Sequence, residues 1–405
     1  MAVVVHKYGG TSVGDAERIK HVAKRIIAAR QKGNDVVAVV SAMGDTTDDL
    51  IELAHKLNDC PEPREMDVLL STGEIVSSTL LAMALKNMGQ DAISLSGQQA
   101  GIRTDSVHSK ARITGIDPKR IHDELDKGRV VIVAGFQGIS DCQDVTTLGR
   151  GGSDTTAVAL AASLGASICE RYTDVDGVYT ADPRLIPDAR RLSEISYEEM
   201  LELSSYGAKI MHPRAVEIGQ VYNIPILVAS SFNENPGTLI HGGEKMEIRN
   251  RVSGIAHDFE VAKITILGVP DKPGIAAGLF APLAKAGVSV DTIVQNSSQD
   301  HITDLTFTVT KSDLGKALEV IGPIAKELQA REVLSDSKIG KVSIIGTGML
   351  NAPGYAARMF KALSDAGINI LLISTSEIRI TCIIEEDKVK DAVRAIHKAF
   401  EMEKD

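Results

Sequence analysis

The sequence predicts an α/β leading region followed by two smaller α+β units. Two segments, Ala2 to Arg30 and Val130 to Ala162, each read as an apolar strand, a glycine-rich turn and a helix, the alternation that builds parallel sheets. The last third instead carries an internal repeat at a spacing of roughly eighty residues. At 405 residues the chain exceeds one typical domain, and 43% hydrophobic content is ample for a core.

In the first segment Ala2-Val3-Val4-Val5 is a strand with Lys7 at its end, and Gly9-Gly10-Thr11-Ser12 makes the turn. Asp15 to Arg30 then carries a helical pattern at Ile19, Val22, Ala23, Ile26 and Ile27. A lysine at that position can reach a phosphate cradled by the turn, although a lone Lys before Gly-Gly is more often a solvated strand end. Neither the G-x-x-x-x-G-K-[ST] phosphate loop nor a G-x-G-x-x-G fingerprint occurs in the chain.

The richest stretch is Gly149-Arg150-Gly151-Gly152-Ser153-Asp154. It lies between the strand Val130 to Ala134 and the helix Thr155 to Ala162, which puts glycine amides and a helix start together. Such a start attracts phosphate or carboxylate, and Arg150 can grip a carboxylate with two hydrogen bonds. Asp154 calls for a cationic partner, an ammonium group. By itself the run also reads as a glycine turn with Ser153 or Asp154 as a helix cap.

A third segment, Tyr172 to Arg184, follows the expected strand Ala166 to Arg171. A calcium loop starting at Asp174 would need Gly at Tyr179 and Glu at Leu185, and has neither. Thr, Asp, Tyr and Arg at the carboxyl end of a strand suit a nucleotide, and suit an ordinary acidic turn about equally well.

These motifs occur in one order: Lys7 to Ser12, Val40-Ser41-Ala42-Met43, Ser71-Thr72-Gly73-Glu74, Gly149 to Asp154 and Thr173 to Arg184. Together they closely resemble the aspartate kinases over essentially the full chain. The resemblance implies an amino-acid-kinase-type three-layer sandwich over residues 1–245. It also implies transfer of the ATP γ-phosphoryl group to the side-chain carboxylate of L-aspartate, the opening step toward lysine, threonine, methionine and, in bacteria, diaminopimelate.

On the matching positions, the resemblance implies that Lys7 stabilises the phosphoryl oxygens, that Gly9, Gly10 and Ser12 supply donors nearby, and that Asp154 orients Lys7. It assigns the aspartate α-carboxylate to Arg150 and the α-ammonium to Glu74, with Ser41, Thr47 and Ser153 completing the pocket. Thr173, Asp174, Tyr179, Arg184 and Lys209 would hold the nucleotide, and Mg2+ would bridge the ATP phosphates with no protein cage of its own. The chemistry asks for positioning and positive charge. A carboxylate acceptor is already ionised at neutral pH, so no general base is needed, and His6 is expected on the opposite face of its strand from Lys7. One position departs from the family pattern: Arg171 stands where an apolar residue is expected.

In the repeat, Lys263 to Gly268, Pro273-Gly274, Phe280, Leu283, Ala286-Gly287-Val288 and Ile293 correspond to Lys341 to Gly346, Pro353-Gly354, Phe360, Leu363, Ala366-Gly367-Ile368 and Ile373. Each unit reads strand, Pro-Gly turn, helix, strand, with a further strand and helix following. This resembles paired ferredoxin-like ACT domains, expected over 252–335 and 336–405. Lysine and/or threonine would bind between the first unit of one subunit and the second of another. Asp271, Gly274, Ile275, Ala276, Gln295, Asn369, Ile370 and Ser376 are the candidate contacts, and Asn351 takes the place of Asp271 in the second unit.

The boundary between the two regions is expected near Pro236 to Arg251, where polar and glycine-rich stretches interrupt the apolar pattern. Met246 falls where relatives begin a separately made regulatory fragment, so a homo-oligomer or an assembly with such a fragment is expected. A net charge of −10 argues against nonspecific nucleic-acid binding. The first residues read as a strand rather than a signal peptide, and no apolar run is expected to approach membrane-span length. Cys60, Cys142, Cys169 and Cys382 show no metal spacing and fit reduced thiols in a cytoplasm. Two other readings compete: another amino-acid-kinase-type enzyme acting on glutamate, carbamate or UMP, and a non-enzymatic amino acid sensor. The paired repeat disfavours the first, and the conjunction of Lys7, Glu74, Arg150 and Asp154 disfavours the second.

Overall fold

A computed structural model describes residues 1–208, 210–242, 252–296, 301–349 and 353–404, in two compact units. The first comprises Met1–Tyr179, Arg191–Ser205 and Lys209–Glu247; the second comprises Thr180–Arg190, Tyr206–Ala208 and Ile248–Asp405.

The first unit is built on an eight-stranded sheet in the order Glu194–Ser196, Thr238–His241, Ile226–Ser230, Ile168–Thr173, Ala2–Tyr8, Asn34–Val40, Val130–Ala134 and Ala92–Leu95. All neighbours are parallel except Ile226–Ser230 and Thr238–His241. Central strands buried on both faces must be apolar throughout, which is why Val36 to Val40 and Val130 to Ala134 read as unbroken apolar runs. Helices Ala16–Gln31 and Pro63–Asn87 cover the face bearing Val4 and Tyr8, burying Ile19, Val22, Ile26, Leu81 and Leu85. The first of them starts at Asp15, whose carboxylate caps the Arg18 amide at 2.9 Å. Helix Gly152–Ser163 packs on the other face, against Ala2–Tyr8, Asn34–Val40 and Ile168–Thr173, completing the three layers. A smaller four-stranded sheet contains Ile113–Ile116, Ile102–Thr104, Gln137–Ser140 and Val145–Thr147.

One expectation fails here. Pro63–Asn87 has 25 residues and is long and apolar enough by length and composition to cross a membrane. In this fold it lies along the central sheet, with Asp67 and Glu74 buried on its inner side.

The second unit contains the repeat as two antiparallel sheets, ordered Ile293–Gln295, Ile302–Thr310, Val261–Pro270, Glu332–Asp336 and Gly254–Asp258, Ile339–Ile345, Arg379–Glu385, Leu372–Thr375. The first carries helices Ile275–Lys285 and Leu314–Glu327, the second Tyr355–Asp365 and Val389–Ala399. The two orders match, with one difference in chain path. The fourth strand of the first sheet follows its unit, whereas Gly254–Asp258, expected to open the first unit, pairs antiparallel with Ile339–Ile345 and completes the second. Two short excursions also group here rather than with the expected 1–245 region. Thr180 donates or accepts a 3.1 Å bond with His397 Nε2 and accepts the Ile255 amide at 2.8 Å, while the Arg379 guanidinium lies 3.9 Å from the Tyr206 ring centroid. Met246 and the linker residues 243–251 lie outside the described residues, as do Asn351 and Lys209.

Candidate active site

The strand Ala2–Tyr8 alternates sides, so Val5 and Lys7 face helix Gly152–Ser163 while Val4, His6 and Tyr8 face the opposite layer. Lys7 is buried, and its Nζ lies 2.7 Å from Asp154 Oδ1. Asp154 occupies the first turn of its helix without capping it. The cap is Gly151, held at φ 67, where a Cβ would lie 2.3 Å from the His212 ring. The cap reading of Ser153 and Asp154 is thereby replaced: the carboxylate turns to the sheet instead, where Arg171 Nε also donates to both its oxygens at 3.1 Å. Burial alone would raise the Asp154 pKa, but Arg171 and Lys7 outweigh it and hold the carboxyl down to about 2. Burial lowers the Lys7 pKa; Asp154 opposes that shift and Arg171 adds to it.

Glu74 approaches from helix Pro63–Asn87. Gly73 makes this possible, because a Cβ there would lie 2.8 Å from Ala42 Cβ, and the close crossing brings Glu74 Oε1 to accept the Ala42 amide at 3.2 Å. Glu74 Oε2 is buried with no partner among the described residues. Desolvation, only partly offset by the backbone donors and Lys7, raises its pKa to about 7.

The turn after Lys7 forms a short 3₁₀ segment, Gly10–Val13, anchored by the Gly9 amide to the Tyr172 carbonyl at 3.3 Å and by Ser12 Oγ to Ser231 Oγ at 2.5 Å. Ser41 donates its amide to the Tyr8 carbonyl at 3.1 Å, and Thr47 lies in the first turn of helix Thr46–Leu57. Ser153 is buried beside Gly135, and Arg150 is exposed. Thr173 ends its strand, which runs Ile168–Thr173 rather than Ala166 to Arg171, and donates to Asp174 Oδ1 at 3.0 Å. Tyr179 donates to Asp176 at 2.6 Å.

Arg184 falls in the second unit, is almost fully exposed, and pairs with Asp182 at 2.8 Å. Among the effector candidates, Gly274, at φ 97, caps helix Ile275–Lys285, which begins with Ile275 and Ala276, and Gln295 Nε2 reaches Asp271 Oδ1 at 3.5 Å. Asn369 and Ile370 lead into strand Leu372–Thr375, and Ser376 follows it, donating its amide to Arg379 at 2.8 Å.

Ser231, His212 and Arg171 also meet these candidate residues, at Ser12, Gly151 and Asp154, contacts not anticipated from the sequence. Ser231 had a signal, since it directly follows strand Ile226–Ser230 at the carboxyl edge of the sheet. The Arg171 pairing had one as well: alternation along Ile168–Thr173 puts Cys169 and Arg171 on one face and Glu170 and Tyr172 on the other.

Residues 2–230 match the amino acid kinase family, and residues 263–325 and 342–400 each match an ACT domain. The chain is 52% identical to the aspartokinase of Mycolicibacterium smegmatis, over 99% of this chain and 96% of that one. It belongs to the aspartokinase family. A solved aspartate kinase from Synechocystis is 45% identical with a TM-score of 0.56, covering 99% of this chain and 69% of the other. Escherichia coli aspartokinase III in complex with lysine and aspartate, in its T state, is 25% identical with a TM-score of 0.73, covering 98% and 99%. The first unit is therefore an aspartokinase catalytic fold, the reaction is ATP-dependent phosphorylation of the aspartate side-chain carboxylate, and the repeat is a pair of ACT domains of the kind that regulate allosterically.

Proposed function

We propose that the Lys7, Asp154 and Glu74 constellation carries this reaction, with Lys7 meeting the transferring phosphoryl group and Glu74 taking the α-ammonium of L-aspartate. The observation that carries the reading is a buried lysine at the carboxyl end of a central parallel strand, paired with a buried carboxylate, beside a second carboxylate with one oxygen unpartnered. A phosphoryl group gathering charge on its oxygens is stabilised by a cation fixed before reaction, in a site where burial strengthens the interaction. The aspartate carboxylate is its own nucleophile, and His6 is turned to the other face with Glu170 at 3.0 Å.

Arg150, exposed at the rim, would take the α-carboxylate, and Ser41, Thr47 and Ser153 would border it. Gly9, Gly10, Ser12, Thr173, Asp174, Tyr179, Arg184 and Lys209 would hold ATP. Mg2+ would accompany the ATP phosphates, since Asp154 is already engaged by Lys7 and Arg171. When bound, the ion neutralises phosphate charge. Lysine and/or threonine would act at the ACT pair through Asp271, Gly274, Ile275, Ala276, Gln295, Asn369, Ile370 and Ser376, in a homo-oligomer. The relative crystallised with lysine and aspartate supports that reading.

The test is ADP release from MgATP with L-aspartate, L-glutamate or no acceptor, each with and without lysine plus threonine. Release that depends on aspartate and falls with the effectors is expected. Release indifferent to the acceptor would refute the site reading, and uninhibited turnover would refute the effector reading.

A further inference from the structure

Arg171 is a charged residue in the middle of a central strand, and neither its sequence surroundings nor the roles assigned above explain it. In the parallel register Lys7 lies directly opposite Arg171, and both side chains project to the face covered by helix Gly152–Ser163. Asp154 Oδ1 accepts from both, from Lys7 Nζ at 2.7 Å and Arg171 Nε at 3.1 Å, and Arg171 Nε also reaches Oδ2 at 3.1 Å. Two cations thus share one carboxylate, leaving a buried cluster with an excess of one positive charge. Arg171 Nη1 is buried with no partner among the described residues, so this guanidinium is not placed as a fully satisfied structural pair would be.

We propose that Arg171 is a positioning residue for phosphoryl transfer: by claiming part of the Asp154 carboxylate it loosens that carboxylate's hold on Lys7 and leaves the lysine charge free for the transferring phosphoryl group. A Lys–Asp pair alone would neutralise itself, each charge spending its field on the other. With a second cation competing for the same oxygen, Lys7 keeps its place but not full neutralisation, which is what stabilising a developing anion requires. The other titratable groups near Lys7 or its Asp154 partner are Glu74 on helix Pro63–Asn87, Cys169 on the strand of Arg171, and His212 before helix Pro213–Tyr222. The buried thiol is held protonated, its pKa pushed far up by desolvation, and so adds no charge. Arg171 is then the cation that sets the balance against Asp154. The proposal rests on the role given to Lys7 above.

The test uses the full chain with Arg171→Met and Arg171→Lys, reading kcat, the KM for aspartate, the alkaline limb of kcat and the melting temperature. Arg171→Met should lower kcat by about tenfold while changing the aspartate KM by less than about threefold. It should also move the alkaline limb to higher pH, because removing a neighbouring positive charge raises the Lys7 pKa. Arg171→Lys, which restores the charge, should recover most of the lost kcat at neutral pH. If Arg171→Met does not accumulate as folded protein, Arg171→Gln carries the same comparison, keeping a hydrogen-bond donor and losing the charge. Wild-type kcat and an unmoved alkaline limb in the neutral variant would overturn the proposal, and so would a loss that lysine fails to recover. Absence of aspartate-dependent ADP release in the unaltered protein would instead sink the reading on which it rests.

Discussion

His6 and Lys7 are neighbours on one strand, Glu170 and Arg171 on the next, and the two strands pair in register, yet the faces they build differ in kind. On one face His6 Nε2 meets Glu170 at 3.0 Å and Nδ1 meets the Tyr8 hydroxyl at 3.1 Å, while Tyr172 donates to Glu170 at 2.6 Å. The Tyr8 and Tyr172 rings stack at 5.2 Å, and Arg25 covers the latter at 4.5 Å. On the other face, Lys7, Asp154 and Arg171 form a cluster next to Glu74, and both Arg171 Nη1 and Glu74 Oε2 lack partners among the described residues. Buried polar groups left open cost stability, so they persist where something else is to fill them. The closed face reads as structure and the open face as chemistry.

Breaking the open face should give the largest effect. Lys7→Ala is expected to lower kcat by at least about a hundredfold with the fold retained, checked by steady-state ADP release alongside thermal melting. Glu74→Gln should come next, raising the aspartate KM by about tenfold or more with a smaller change in kcat, because an uncharged amide no longer meets the α-ammonium.

Breaking the closed face should have the opposite signature. Glu170→Gln is expected to cost about 1–3 kcal/mol in denaturant unfolding while leaving kcat within about twofold. Burial would raise the Glu170 pKa, but the bond and charge of His6 and the Tyr172 hydroxyl outweigh it and hold it to about 2. A carboxyl depressed in the folded state contributes stability that is present above its unfolded value and lost as pH falls through the folded one. Acid unfolding between roughly pH 4.5 and 2 should therefore lose a contribution that Glu170→Gln lacks from the outset. A smaller effect on basal turnover is expected in the second unit. Asp271→Ala should weaken inhibition by lysine plus threonine with kcat unchanged in their absence, read from inhibition curves.

Lys7 at a strand end before glycines and Asp154 at a helix start each lie in a local pattern, which alone suits a solvated strand end or a helix cap as well; only the family resemblance of the co-ordered motifs singled out Glu74 and joined the three. The expectation that His6 faces away from Lys7 also holds, since alternation along a strand needs no tertiary knowledge. What escaped depends on which strands become neighbours. The meeting of Arg171 with Lys7 joins residues far apart in the chain through strand register, and the Ser12–Ser231 contact does the same across the sheet. Gly254–Asp258 falls within the 252–335 range expected for the first ACT domain yet pairs with Ile339–Ile345, because edge strands are recruited by backbone hydrogen bonds rather than by side-chain pattern.

Whether the unpartnered Glu74 oxygen awaits the substrate ammonium can be read from the pH dependence of kcat/KM for L-aspartate in the unaltered protein and in Glu74→Gln. With its pKa raised to about 7 by burial, Glu74 is protonated on the acid side and ionised on the basic side. In the unaltered protein kcat/KM should fall as pH drops below about 7, and this limb should disappear in Glu74→Gln. The same acid limb in both proteins, or none in the unaltered one, would contradict that role of Glu74.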